Sequence, residues 1–172
     1  MAFYEISPRA VEGNIFERIQ KTWMLVTAGT PDAWNTMTAN WGGMGHLWNR
    51  DVAFVFVRPT RHTFSFIEKA GALTLSFFSE EWRDALNTCG KLSGRDVDKS
   101  AITGLKPVEP RPGFVAFEQA DLIFTCRVLH KQDIDPAGFV EPSLASNYAA
   151  GDYHRLYVAE ITAALVRAQA RT

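Results

Sequence analysis

Through most of this chain, apolar residues come in short runs and alternations broken by Gly, Pro, Asn and Asp. That pattern predicts strands over "TWMLVTAG" (22–29), "TMTANWG" (36–42), "DVAFVFVR" (51–58), "ALTLSFF" (72–78) and "RLYVAEITAALVR" (155–167). All are rich in Val, Phe, Thr and Leu, side chains that suit a pleated, half-buried surface. The long stretch "GFVAFEQADLIFTCRVLHKQDI" (113–134) has the same character but reads as bent or broken. Helical spacing is rarer. In "RHTFSFIEKAG", Phe64, Ile67 and Ala70 fall on one face after Pro59, and Gly71 marks the end. In "SEEWRDALNTCG", Ser79 and an acidic first turn precede a stripe of Trp82, Ala85, Leu86 and Cys89, with Gly90 as the expected stop. A short helix is expected within "PRAVEGNIFERIQK" and a single turn within "GRDVDKSAIT".

Many short strands with a few helices between them predict a mainly β protein, a small antiparallel barrel. A doubly wound sheet needs regular strand–helix alternation, which is missing. The 172 residues show no internal repeat and no linker-like change of composition, so one domain over 1–172 is expected.

Composition narrows the function. A formal net charge of −1 argues against a general electrostatic grip on nucleic acid or an anionic membrane. No run of apolar residues is long enough to span a bilayer, and "MAFYEISPRAVEG" lacks the pattern of a signal peptide. The two cysteines, Cys89 and Cys126, form no CxxC pair, and a reduced cytoplasm is the simple expectation. Aromatic residues make up 12%, enough to line a site for a flat ligand as well as a core.

Four stretches carry candidate chemistry. In "RPTRHT", a strand ends at Arg58 and a helix begins among Thr60, Arg61 and Thr63. A helix start offers unpaired N–H groups and partial positive charge, and two guanidiniums beside it suit an anion such as a phosphate. The same residues also read as a threonine cap with two solvated arginines. In "NTMTANWGGMG", polar side chains at Asn35, Thr36, Thr38 and Asn40, followed by Trp41 and glycines, can meet the edge of a flat heterocycle; a polar edge strand is the plainer reading. In "CGKLSGRDVDK", Ser93-Gly94 forms a tight turn near Arg95 and Lys99, which is either an anion contact or a solvated charged loop. In "YAAGDYHRLYVAEI", His154 and Tyr157 stand before and inside the last strand, at a site mouth or on the surface. Other chemistries are set aside. The four histidines show no metal-ligand spacing, and no nucleophile elbow, P-loop or GxGxxG is present. Cys89, on an apolar stripe, reads as a buried structural thiol.

Taken in order, "NTMTANWGG", "LWNRDVAFVFVRPTRHTFSFIE", "LTLSFFSEEWRDALNTCGKLSGRDVDK" and "YHRLYVAEI" resemble the flavin reductase-like family of FMN-binding proteins, in particular its flavoredoxin-type branch. The resemblance runs from about Lys21 to Ile161. It implies an FMN-binding split β-barrel working as a homodimer, with flavin near the subunit interface. By position, Asn35, Thr36, Met37, Thr38 and Trp41 would line the isoalloxazine ring. Arg58, Thr60, Arg61 and Thr63 would hold the phosphate, and Ser93, Gly94 and Lys99 would close over the cofactor. His154 would lie near the nicotinamide of NAD(P)H, and His62 stands where similar sequences often carry Tyr. The implied reaction is hydride transfer from NAD(P)H to flavin, then electron release to a small-molecule or protein acceptor that the sequence does not name. The alternatives are an FMN electron carrier without its own NAD(P)H turnover, or a split-barrel module for a ligand other than flavin.

Overall fold

The computed structural model describes residues 3–168. Its strands are β1 (Phe3–Ile6), β2 (Met24–Thr30), β3 (Ala33–Ala39), β4 (Gly42–Leu47), β5 (Arg50–Val57), β6 (Ala72–Phe77), β7 (Pro107–Val108), β8 (Ala116–Phe117), β9 (Leu122–Asp133) and β10 (Arg155–Arg167). Its helices are α1 (Ile15–Glu17), α2 (His62–Ala70), α3 (Arg83–Lys91) and α4 (Lys99–Thr103), with single-turn helical pieces before α1, after α1, before α3 and between β9 and β10.

The main sheet runs β3-β2-β6-β9-β10-β5-β4, with β1 added beside β10. Every pairing is antiparallel. Strands from the whole path share one core, with Met24 and Val26 of β2, Val55 of β5, Leu75 of β6, Phe124 of β9 and Tyr157 of β10 in the same buried cluster. The sheet therefore curls around its apolar face and is left open between its end strands β3 and β4: the antiparallel barrel that the strand pattern predicts, in the split form that the resemblance implies.

β2 is buried on both faces. Met24, Val26 and Ala28 enter the barrel core, while Leu25 joins a second cluster outside it with Leu86 and Cys89 of α3 and Phe117 of β8. That second layer holds α3 against the barrel beside β3. α2 packs instead on the barrel-core cluster, with Ile67 inside it, Phe64 and Phe66 against it, and Thr63 buried. It starts because Arg61 is extended after Pro59, and it stops at Gly71, whose φ of 62° lies in the left-handed region that glycine enters without strain.

Several boundaries differ from the sequence expectation. Strand 36–42 is two elements: β3 ends at Ala39, and Gly42 opens β4, a strand the pattern did not reveal. β4 and β5 form a hairpin whose turn is Trp48-Asn49, with φ of 52° and 58°. Both central residues of such a turn need positive φ, which Asn-Gly normally supplies, so Trp-Asn gave no signal. The 113–134 stretch is broken, as expected, with β8 and β9 separated by a turn at 118–121. Gly90 does not end α3, which continues to Lys91. A Cβ on Gly90 would lie 3.3 Å from Cβ of Thr38, so the glycine serves close approach of helix and strand. Ser79 sits at the expected start but makes no capping bond to the helix; its hydroxyl donates to Glu81 instead.

Candidate functional site

β3, the N-terminus of α2, the loop after α3 and the residues before β10 meet at the open seam of the barrel. Two cavities lie there and share Met37 and Arg61 as a common wall. The smaller, about 90 Å³, is lined by Asn35, Thr60, His62, Thr63, Lys91, Ser93, Gly94 and Lys99. The larger, about 170 Å³, is lined by Thr38, Ala39, Asn40, Trp41, Phe56, Arg58 and His154.

The smaller cavity suits an anion. It opens on the start of a nine-residue helix whose N-terminus no side chain caps. The Phe64 N–H donates to the Arg61 carbonyl at 3.0 Å, so it is the first-turn N–H groups ahead of it, with the helix dipole, that are available to a ligand. Thr63 is buried and its hydroxyl accepts a 2.7 Å bond from the Asn35 amide, which ties helix to strand. Gly94 passes so close to Asn35 that a Cβ there would lie 1.9 Å from Oδ1. Only a bare backbone brings the Ser93-Gly94 loop this near. Lys99 is buried, and its ammonium donates to the carbonyls of Thr36 (2.6 Å) and Cys89 (2.8 Å). An ammonium has three donors, so one remains for the cavity. Burial lowers the Lys99 pKa, which a bound anion would oppose. The Arg61 guanidinium donates to the Gly90 carbonyl at 2.9 Å from the rim between the cavities. His62 Nδ1 is buried without a partner, and burial, then Arg95 and Lys99, lower the pKa of its ring.

The larger cavity is aromatic and less charged. The rings of Trp41 and His154 stand 5.2 Å apart, with Trp41 44% exposed. His154 Nδ1 pairs with the Tyr148 hydroxyl at 3.0 Å. Burial, then the Arg58 charge, push the His154 pKa down to about 4, so its imidazole is neutral at physiological pH. Arg58 belongs to this end. Its guanidinium donates to Asp152 at 2.5 Å and to the Asn147 carbonyl at 3.0 Å.

The site thus gathers most of the residues read from the sequence, in two groups. Asn35, Thr60, Arg61, Thr63, Ser93, Gly94 and Lys99 surround one cavity; Met37, Thr38, Trp41, Arg58 and His154 line the other, with Met37 and Arg61 common to both. The structure does not bring Arg58 to the cavity of Thr60 and Thr63. The Thr36 side chain lines neither cavity: its hydroxyl is taken up against β2, where it bonds the Thr27 hydroxyl at 2.8 Å. Its contribution is the carbonyl that holds Lys99. Tyr157 is a core residue whose hydroxyl donates to Glu68 at 2.8 Å. Cys89 is buried, as its stripe predicted, and burial pushes its thiol up to about 11, away from nucleophile chemistry. Tyr148 and Asp152 were missed, because nothing in a loop sequence announces a bond to Arg58 some 90 residues away. No group of His, Cys, Asp and Glu among the described residues could hold a metal.

A split barrel whose open seam joins an anion cavity to an aromatic groove is a fold and site suited to a flat, phosphorylated ligand. The chain belongs to the flavin reductase-like family: the model of the flavin reductase like domain matches residues 16–172. Among solved structures, it is similar to an FMN-binding domain of a flavin reductase-like enzyme from Shewanella baltica, with TM-score 0.69, 17% identity, and coverage of 96% of this chain and 77% of that one. It is also similar to flavoredoxin from Methanosarcina acetivorans, with TM-score 0.65, 21% identity, and coverage of 88% and 71%. A third is the NADH:FAD oxidoreductase of Streptomyces globisporus, with TM-score 0.64, 14% identity, and coverage of 85% and 75%. A search of curated proteins returned no match.

Proposed function

We propose that the protein is an FMN-dependent oxidoreductase that takes hydride from NAD(P)H. The observation that carries this reading is Arg61, which bridges a phosphate-sized cavity at an uncapped helix start and a ring-sized groove along β3. The donor set fits a phosphate monoester: backbone N–H groups, the Ser93 and Thr60 hydroxyls, Arg61 and the free donor of Lys99. Bound FMN would supply the redox chemistry, accepting hydride at its ring. The protein's part is to bind, orient and screen. Met37, Thr38 and Trp41 would flank the ring, and His154, neutral and held by Tyr148, would edge the space left for a nicotinamide. Stacking two rings in one groove provides proximity, and no side chain is required as nucleophile or base.

The test is the visible spectrum and flavin content of protein purified without added flavin, followed by anaerobic stopped-flow mixing with NADH and NADPH. FMN retention with rapid bleaching is expected. FMN retention with no reduction by either donor would favour a flavin-dependent electron carrier, in line with the likeness to flavoredoxin. Absence of flavin affinity would overturn the reading as a whole.

We propose further that the protein acts as a homodimer. An apolar hollow of about 420 Å³, lined by Ile15, Phe16, Trp41 and Met44, adjoins the ring groove, and Phe16 is 80% exposed. Such a surface is characteristic of a face covered by another subunit. Light scattering of the flavin-bound protein is expected to give twice the chain mass.

A further inference from the structure

Arg58 directly follows β5, beside the site, and its sequence position groups it with Arg61. Its contacts do not. One nitrogen of the fork donates to Asp152 at 2.5 Å and the other to the carbonyl of Asn147 at 3.0 Å, while the guanidinium lies 5.2 Å over the ring of Tyr148. Arg58 and Asp152 are both mostly shielded, with side chains 24% and 20% exposed, and Arg58 keeps the Asp152 carboxyl below the usual carboxylate range. A guanidinium already neutralised by a carboxylate at contact distance is a poor receptor for a phosphate, which would have to evict that carboxylate or accept its repulsion. The segment it grips has no strand to hold it. Between β9 and β10 the chain forms only two short 3-10 pieces, Pro136–Gly138 and Pro142–Tyr148. Yet this segment carries Tyr148, whose hydroxyl bonds His154 Nδ1 and whose ring stacks on Tyr153 at 4.7 Å.

We propose that Arg58 is a positioning residue: with Asp152 it clamps the 147–152 segment onto the end of β5 and so sets Tyr148 and His154 as the wall of the ring-side groove, while the phosphate is left to Arg61 and the α2 N-terminus. The assignment of a phosphate rests on the flavin reading; the clamp does not. Arg58 then acts on what the groove admits opposite Trp41, not on how FMN is anchored.

The test uses Arg58→Ala, Asp152→Ala, the double variant, Arg58→Lys and Arg61→Ala in the full chain. Two quantities are read: amide hydrogen exchange of residues 147–154, and the ratio of FMN to riboflavin affinity by fluorescence titration. Loss of the clamp is expected to speed exchange at 147–154 about tenfold or more, equally in Arg58→Ala and Asp152→Ala. The double variant is expected to be no worse than either single one. Arg58→Lys should restore part of the protection, since it keeps a charge for Asp152 but replaces the planar fork, whose two nitrogens meet Asp152 and the Asn147 carbonyl separately. The FMN-to-riboflavin ratio should stay within about twofold of wild type in all four and fall only in Arg61→Ala, because only the phosphate distinguishes the two flavins. A tenfold fall of that ratio in Arg58→Ala with no change in Asp152→Ala would return Arg58 to the phosphate and overturn the proposal. Unchanged exchange in both single variants would overturn it as well. If neither flavin binds the wild type, the flavin reading fails, and the exchange measurements still decide the clamp.

Discussion

The two ends of the groove are built by opposite means. The smaller cavity is built mostly from backbone: the first turn of α2, a glycine loop, and a lysine buried between two carbonyls. The ring end is made by side chains brought from remote parts of the chain, with Trp41 facing His154 and Arg58 gripping Asp152. A phosphate is a small, fixed shape that N–H groups on a rigid helix start can meet without adjustment. The wall of the larger cavity lies on a strandless segment held by side-chain contacts of Arg58 and Tyr148, and such a wall can move at lower cost than a helix start. On the proposed reading, anchoring belongs to the smaller cavity and access to the larger.

The largest effect that would sharpen this contrast lies at the ring end. The His154 pKa is lowered from 6.5 to about 4, so the folded protein binds fewer protons there than the unfolded chain does between those values. Stability is therefore expected to be full above about pH 6.5 and to fall as pH drops toward 4, by up to about 3 kcal/mol from this residue. His62, also lowered, acts in the same direction. Urea titrations from pH 7 to 4.5 check this. His154→Asn should flatten the slope, and an unchanged slope would mean that His154 is accessible to protons in the folded state.

At the anion end, Arg61→Ala is expected to weaken FMN binding about 30-fold, roughly 2 kcal/mol for one charge-assisted contact, and to leave riboflavin almost untouched. Parallel fluorescence titrations measure both. Equal losses for the two flavins would erase the distinction between the ends, since Arg61 would then serve the ring or the fold.

The smallest effect concerns the tie between α2 and β3. Thr63→Val keeps shape but removes the hydroxyl that accepts from Asn35, leaving a buried amide unpaired. About 1 kcal/mol of stability should be lost, with a modest fall in FMN affinity and none in the acid slope. Chemical denaturation at pH 7 and at pH 5 separates these outcomes.

Strand content, the two main helices and a barrel were legible in the sequence, because hydrophobic spacing and Gly or Pro punctuation report local geometry directly. "RPTRHT" announced a helix start with cations beside it for the same reason: its parts lie within one turn of each other. β4 was not legible, since three glycines in its six residues hide its alternation and Trp48-Asn49 hides its turn. Gly90 looked like a helix stop because glycine's absent side chain is an entropic signal from sequence, whereas in the fold it is space for Thr38.

By itself the sequence determined the barrel class, the α2 helix with its boundaries, and which residue types gather at the start of that helix. Only the tertiary structure decided how those residues are shared out. Arg58 and Arg61 are three positions apart, yet one faces Asp152 and the other the Gly90 carbonyl. Thr36 and Lys99 carry polar groups, yet one side chain turns to Thr27 and the other is buried between two carbonyls. The reason is physical. Periodicity encodes which face a residue takes along its own element, whereas its partner depends on long-range packing between elements that no local pattern records.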